Sequence, residues 1–194
     1  MLSYEESLKT LKETNALLDG HFILSSGLHS AQYIQCAQLL SKPHHAANFC
    51  KSLAEKISEE FKEIDLILSP AMGGIVVGYE IGRLLQKETI FSERVEGQFE
   101  LRRNFKISKK SRVLIVEDVI TTGKSSIECS KLVELREAIV VGFACLINRS
   151  SENSLSKKKI VSQIKINIPT YEEKDLPKNL ISIPATKPGS RELK

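Results

Sequence analysis

The chain has 194 residues, 41% hydrophobic and 27% charged, with a net charge of +4. That length suits one sizeable domain, and so mild a positive charge suits an anionic small ligand better than a dedicated nucleic-acid surface. Cys36, Cys50, Cys129 and Cys145 form no close pair, which argues against a disulfide framework or zinc site. The charged N-terminus has no apolar signal core, and no run reaches the ~20 apolar residues of a membrane span, so a cytoplasmic protein is expected.

Leu8, Leu11 and Leu18 recur near helical spacing, predicting an amphipathic helix over residues 4–18. Two short extended runs follow, separated by turn signals at Ser25, Ser26 and Gly27. Pro43 suits the first turn of a second helix, running to about Lys62 and burying Phe49, Leu53, Ile57 and Phe61. From residue 65 the texture changes. "DLILSPAMGGIVVGYEIGRLL" reads as a short apolar strand, a Gly-Gly turn and a helix. "SRVLIVEDVITTGKSSIECSKLVEL" repeats that order, and "IVVGFACLINR" adds another continuous apolar strand. Apolar runs alternating with helices predict an α/β fold with a mainly parallel sheet covered on both faces. The polar, basic segment 92–112 reads as an exposed hairpin or mobile loop, and the alternating run "IVSQIKINI" precedes a Pro-rich tail.

The chemistry concentrates in "VEDVITTGKSS". Val113 to Val116 form a buried strand, and Glu117 and Asp118 fall at its carboxyl end, where ligands bind in open parallel sheets. Thr121, Thr122 and Gly123 make a tight turn into a helix whose first N–H groups lack intrahelical partners. Those donors and the helix dipole make a phosphate site. The two acids would repel that phosphate, so their place is on neighbouring hydroxyls or a metal ion. A phosphate cup beside a diol-binding acid pair fits a ribose 5-phosphate. A nucleotide P-loop, as in a kinase, is a weaker alternative, because the glycine it needs five residues before Gly123 is Asp118. The bland alternative is a solvated strand end followed by an ordinary turn.

The apolar strand followed by E-D-V-I-T-T-G-x-S closely resembles the phosphoribosyl-diphosphate (PRPP) signature of the type I phosphoribosyltransferases, and most of all their orotate-using, shorter-loop subfamily. "GHFILSSGLHSAQYIQ" is similar to the hood that covers the base there. "LILSPAMGGIVVGYEIGRLL" resembles the diphosphate-side loop and helix, "FSERVEGQFELRRNF" the mobile loop, and the final "KPGSR" also recurs. The resemblance implies one phosphoribosyltransferase domain over residues 1–194. Its hood would take about 1–40 plus the C-terminal tail, its core about 41–165 and its mobile loop about 92–105. It implies that Glu117 and Asp118 bind the ribose hydroxyls, with Mg²⁺ bridging substrate oxygens mostly through water and no direct protein ligand set. Val119, Ile120, Thr121, Thr122, Gly123, Lys124 and Ser125 would cradle the 5-phosphate, and Thr121 would also reach orotate. Arg149 would pair with a polar edge of orotate, although an arginine snorkelling from a strand end is the plainer reading. Arg94 and Asp118 are the candidate catalytic residues. The loop would reach a neighbouring subunit's site, implying a homodimer, with no nucleic-acid or membrane partner expected.

Several positions depart from the family pattern. Lys124 stands where a small residue is usual, and Ser25 and Gly73 stand where better-known relatives carry substrate-contacting lysines. Glu93 and Arg94 replace a loop richer in lysine and histidine. The basic run Arg102, Arg103, Lys106, Lys109, Lys110 and Arg112 leaves open a PRPP-sensing regulator that binds nucleic acid, and a phosphoribosyltransferase for another base is the second alternative. His29 is a candidate neighbour of the substrate. His44-His45 lacks a third metal ligand, and Gly73-Gly74 is a second candidate anion nest.

Overall fold

The computed structural model describes residues 1–24, 26–150 and 158–188; Ser25 and the Gly189-Ser190-Arg191 part of the C-terminal motif lie outside the described residues. The elements run α1 Tyr4–Glu13, β1 Leu17–Ile23, β2 His29–Ile34, α2 Cys36–Leu40, α3 Pro43–Glu60, β3 Leu66–Pro70, α4 Gly73–Leu85, β4 Glu88–Val95 and β5 Gln98–Glu100. They continue with β6 Arg112–Ile120, α5 Lys124–Glu134, β7 Ile139–Asn148, β8 Ile160–Lys165, β9 Thr170–Tyr171 and α6 Lys178–Ile181.

The first helix starts where a capping box closes it, Ser3 N–H donating to Glu6 and Glu6 N–H to the Ser3 hydroxyl. It ends at residue 13, short of the expected 18. Asn15 takes a positive φ of 57°, which stops the helix, and Leu17 and Leu18 enter β1. Ser26 and Gly27 do form the turn between β1 and β2, with Gly27 at φ 83°. The third helix begins on Pro43 as expected, but a separate short helix, α2, precedes it.

The six-stranded sheet has the order β5-β4-β3-β6-β7-β8, parallel throughout except for the β4–β5 hairpin. Alternation splits the apolar strand residues between two layers. Ile67, Leu114, Val116, Ala144 and Leu146 pack with Phe49, Leu53, Val77 and Ile81 of α3 and α4. Leu68, Val113, Ile115, Phe143 and Cys145 pack on the other face with Cys129 and Val133 of α5. The chain therefore crosses from β3 outward through α4 on one face, and from β6 outward through α5 on the opposite face. Between β3 and β6 lies the topological switch point, with the ends of both strands opening onto one crevice.

A second sheet, β1-β2-β9, is antiparallel and stands over that crevice. The segment 92–112 is a hairpin at its start, turning at Glu96 and Gly97. The preceding stretch, 88–92, is a parallel strand that sequence reasoning passed over because only Ile90 and Ser92 of it face inward. No helix among the described residues is long and apolar enough to cross a membrane.

Candidate functional site

Because β6 continues through its two acids to Ile120, alternation sends Glu117 and Asp118 to opposite faces. Glu117 is buried on the α5 side, where Ser126 Oγ donates to its carboxylate. Burial is the main force raising its pKa, to about 7, and Asp118 adds to it, while the Ser126 hydrogen bond works the other way. Asp118 is half-buried and turns toward the N-terminus of α4. Its pKa is also raised by burial, with backbone N–H groups opposing. A Cβ built on Gly73 would lie 2.5 Å from Asp118 Oδ2, so the residue opposite this acid has to be glycine for the carboxylate to stand where it does. Any side chain at that position would require the Asp118 carboxylate to shift.

After Ile120 the chain turns through Thr121 and Thr122 to Gly123, at φ 72°, which is the N-cap of α5 and offers no side-chain cap. The first-turn N–H groups, of which that of Lys124 donates to Thr122 Oγ1 at 3.4 Å, face a cup of about 60 Å³, lined by Glu117 and by Val119 through Ser125. All the expected phosphate-cradling residues thus come together. Lys124 contributes its backbone to the cup, and the residue as a whole is exposed.

Beside the cup an open cavity of about 1270 Å³ runs under the small sheet. Asp118, Thr121 and Thr122 form its floor, Met72, Gly73 and Val76 one wall, and Ile23, Leu24, Ser26, Gly27, Tyr33 and Gln35 the roof. Arg149 enters from the end of β7, its backbone N–H donating to Ile120 O at 2.8 Å. Its Nε is buried without a hydrogen-bond partner among the described residues, and burial lowers its pKa. A guanidinium held this way is a costly arrangement until an acceptor arrives. This favours a ligand role for Arg149 over the snorkelling reading.

Other candidates are placed elsewhere. Arg94 lies outside the cavity lining, its guanidinium 4.1 Å over the Phe99 ring, paired with Glu128 at 2.6 Å and donating to Gly97 O. Arg103 pairs with Glu93, Lys109 with Glu137 and Arg112 with Glu63, so much of the basic run is locally neutralised. His29 is buried against His21 at 2.7 Å and does not line the cavity. Among the described residues no cluster of three or more His, Cys, Asp or Glu could hold a metal ion, His44 and His45 included. Sequence reasoning missed Ser126, whose spacing from Glu117 carries no strand or helix signal, and Tyr33, Gln35 and Lys187, which reach the cavity only through the fold.

Residues 37–175 match the phosphoribosyl transferase domain family. An orotate phosphoribosyltransferase of Parvibaculum lavamentivorans is 46% identical over 99% of this chain and 100% of its own. One from Erythrobacter litoralis is 44% identical, over 96% of this chain and 97% of its own. Among solved structures, orotate phosphoribosyltransferase from Aeropyrum pernix superposes with a TM-score of 0.71 at 23% identity, covering 81% of this chain and 92% of that one. An adenine phosphoribosyltransferase from Thermoanaerobacter pseudethanolicus reaches 0.62 at 20% identity, over 70% of this chain and 88% of that one. At such identities these two speak for the fold alone.

Proposed function

The chain belongs to the phosphoribosyl transferase domain family, among its orotate phosphoribosyltransferases, and from that premise we propose how its residues divide the work. The enzyme transfers the phosphoribosyl group of PRPP to orotate, giving orotidine 5′-monophosphate and diphosphate, a step of pyrimidine biosynthesis. The observation that carries the assignment of roles is the juxtaposition at the switch point. An acid strand end and a helix N-terminus without a side-chain cap adjoin a roofed cavity lined by an arginine whose buried Nε has no hydrogen-bond partner among the described residues.

The cup from Val119 to Ser125 takes the 5-phosphate on backbone N–H groups, with the threonine hydroxyls as added donors. Asp118 accepts hydrogen bonds from the ribose hydroxyls, and Glu117 supports the same edge from the other face of β6. The base lies between the floor and the β1–β2 roof, where Thr121 and Arg149 meet its polar edge and the guanidinium fork matches paired oxygens. The C1′–O bond breaks with its electron pair leaving on diphosphate, and the orotate ring nitrogen supplies the pair for the new C1′–N bond from the opposite face. An oxocarbenium-like centre between these steps is exposed to hydrolysis, so the roof that excludes water is part of the chemistry. Orotate enters as an anion and little proton transfer is needed. Positioning and charge neutralisation supply most of the rate.

Glu117 and Asp118, one on each face of β6, are the residues that would support Mg²⁺ brought in with substrate, through water or substrate oxygens. When bound, the ion offsets charge on the diphosphate. Arg94 serves the departing diphosphate once it leaves Glu128. Residues 1–40 with the C-terminal tail act as the hood, and 92–105 as the mobile loop. A homodimer is supported by the apolar stripe on α4. Met72, Val76 and Tyr79 are 83%, 53% and 67% exposed, and the first two border the cavity, so a second copy seated there would adjoin the site. The neutralised basic run weighs against a nucleic-acid-binding regulator, and the arginine in the base cavity against a neutral purine. A cytoplasmic setting is in keeping with a pathway of charged, phosphorylated intermediates. Steady-state turnover with orotate, uracil and adenine, each with PRPP and Mg²⁺, tests the reading. Orotate alone should be consumed.

A further inference from the structure

The described chain ends by returning to the roof of the cavity. Ile23 N–H donates to Thr186 O at 2.8 Å, and Thr186 N–H to His21 O at 2.9 Å. His21 Nδ1 donates to Ile183 O at 2.8 Å, while its Nε2 meets His29 Nδ1 of β2 at 2.7 Å. A carbonyl only accepts, so the proton on His21 sits at Nδ1, and in a neutral pair His29 donates to His21 Nε2. Both imidazoles are buried. The segment 183–186 is thereby fastened along β1, close to the hairpin tip that covers the cavity. The next two residues, Lys187 and Pro188, form part of the cavity lining. Pro188 has a fixed φ and disfavours helical backbone at Lys187, which limits where the lysine can swing.

Among the described residues lining this cavity, the acidic and basic side chains are those of Asp118, Arg149 and Lys187. Asp118 stands at the ribose end, beside the phosphate cup. Arg149 comes from the core, at the end of β7. Lys187 comes from the opposite side, with the roof that covers the base. Orotate differs from a neutral pyrimidine by one carboxylate, and a base held between core and roof presents its two polar edges to two different elements. We infer, resting on the orotate reading of this cavity, that the Lys187 ammonium binds the orotate carboxylate. That makes it a specificity-determining residue, delivered by a C-terminal strap. An ammonium on a flexible stem suits a carboxylate that enters with substrate and leaves with product. The same residue leaves a base without the carboxylate with one charge-assisted hydrogen bond fewer.

The test is steady-state kinetics on the full chain, with Lys187→Gln and Lys187→Arg beside the wild type. Losing a hydrogen bond between charged groups predicts that Lys187→Gln raises the orotate KM roughly 10- to 100-fold. The PRPP KM should stay within about twofold. Lys187→Arg should recover most of the loss, and a thermal melt of each variant separates a KM effect from a loss of folded protein. An unchanged orotate KM in Lys187→Gln overturns the inference. So does a rise confined to the PRPP KM, which would put the ammonium on a phosphate. Wild-type enzyme that ignores orotate would overturn the activity assignment itself, a separate outcome from a working wild type that Lys187→Gln matches.

Discussion

Gly73→Ala is a one-methyl perturbation aimed at the acid the account depends on. The added Cβ would lie 2.5 Å from Asp118 Oδ2 and 2.8 Å from Cγ and Oδ1. Ordinary contact needs roughly 3.4 Å or more, so the carboxylate must retreat by about 1 Å. Gly73 opens α4 with a φ outside the left-handed region, so alanine is tolerated there by the backbone and gains up to about 1 kcal/mol of helix propensity. Stability should therefore hold or rise slightly while chemistry suffers. A misplacement near 1 Å in a site that works by positioning costs about 100-fold in rate, close to 2.7 kcal/mol of barrier. The assay is the fall in orotate absorbance with PRPP and Mg²⁺, read as kcat/KM for PRPP beside a thermal melt. Gly78→Ala is the matched control, since its Cβ would overlap Ser69 Oγ, and neither residue lines the cup or the cavity. It should lose roughly 1–3 kcal/mol of stability, with activity falling only as the folded fraction falls. Wild-type kcat/KM in a folded Gly73→Ala enzyme would refute the assignment of Asp118 to the ribose.

Glu117 supplies a pH prediction. Its folded pKa of about 7 stands above its ordinary 4.5, so the folded protein binds that proton more tightly than the unfolded chain does. The stability it contributes is complete below pH 4.5 and is lost as pH rises through about 7, a change of about 3 kcal/mol that Glu117→Gln should abolish in denaturant titrations. Ribose hydroxyls and Mg²⁺ favour the ionised form, so PRPP–Mg²⁺ binding should release a proton near neutral pH, measurable by calorimetry in buffers of different ionisation enthalpy. If Arg94 must leave Glu128 to serve the diphosphate, Glu128→Gln should lower the PRPP KM two- to fivefold, about 0.5–1 kcal/mol for a partly exposed pair. Arg94→Ala should lower kcat instead. Lys124→Gly should leave PRPP binding nearly intact, because the cup is built from backbone at that position; a large rise in the PRPP KM would give the ammonium a role of its own.

What could be read from the sequence was what the chain holds contiguously. The strand, acid pair, Thr-Thr-Gly turn and helix of the phosphate cup are consecutive residues, and their local rules agree with the fold. The alternating layers were legible for the same reason, since Val113 to Val116 are apolar on both faces. Local rules failed where the tertiary structure decides. Asn15 ends α1 against a favourable leucine spacing, and 88–92 mixes its pattern, burying polar Ser92 beside Ile90 while Phe91 faces the other way. The separation of Glu117 and Asp118 onto opposite faces follows from β6 running past them to Ile120, farther than the apolar run suggested. Ser126, Lys187 and the His21–His29 pair depend on partners that only the folded chain brings together. Ser25 lies outside the described residues.

The most direct test of the central claim is to mix purified protein, PRPP, Mg²⁺ and orotate, and to follow orotate absorbance while assaying diphosphate. Orotate should disappear with release of one diphosphate per orotidine 5′-monophosphate formed. No turnover of orotate, with uracil or a purine consumed in its place, would contradict that claim.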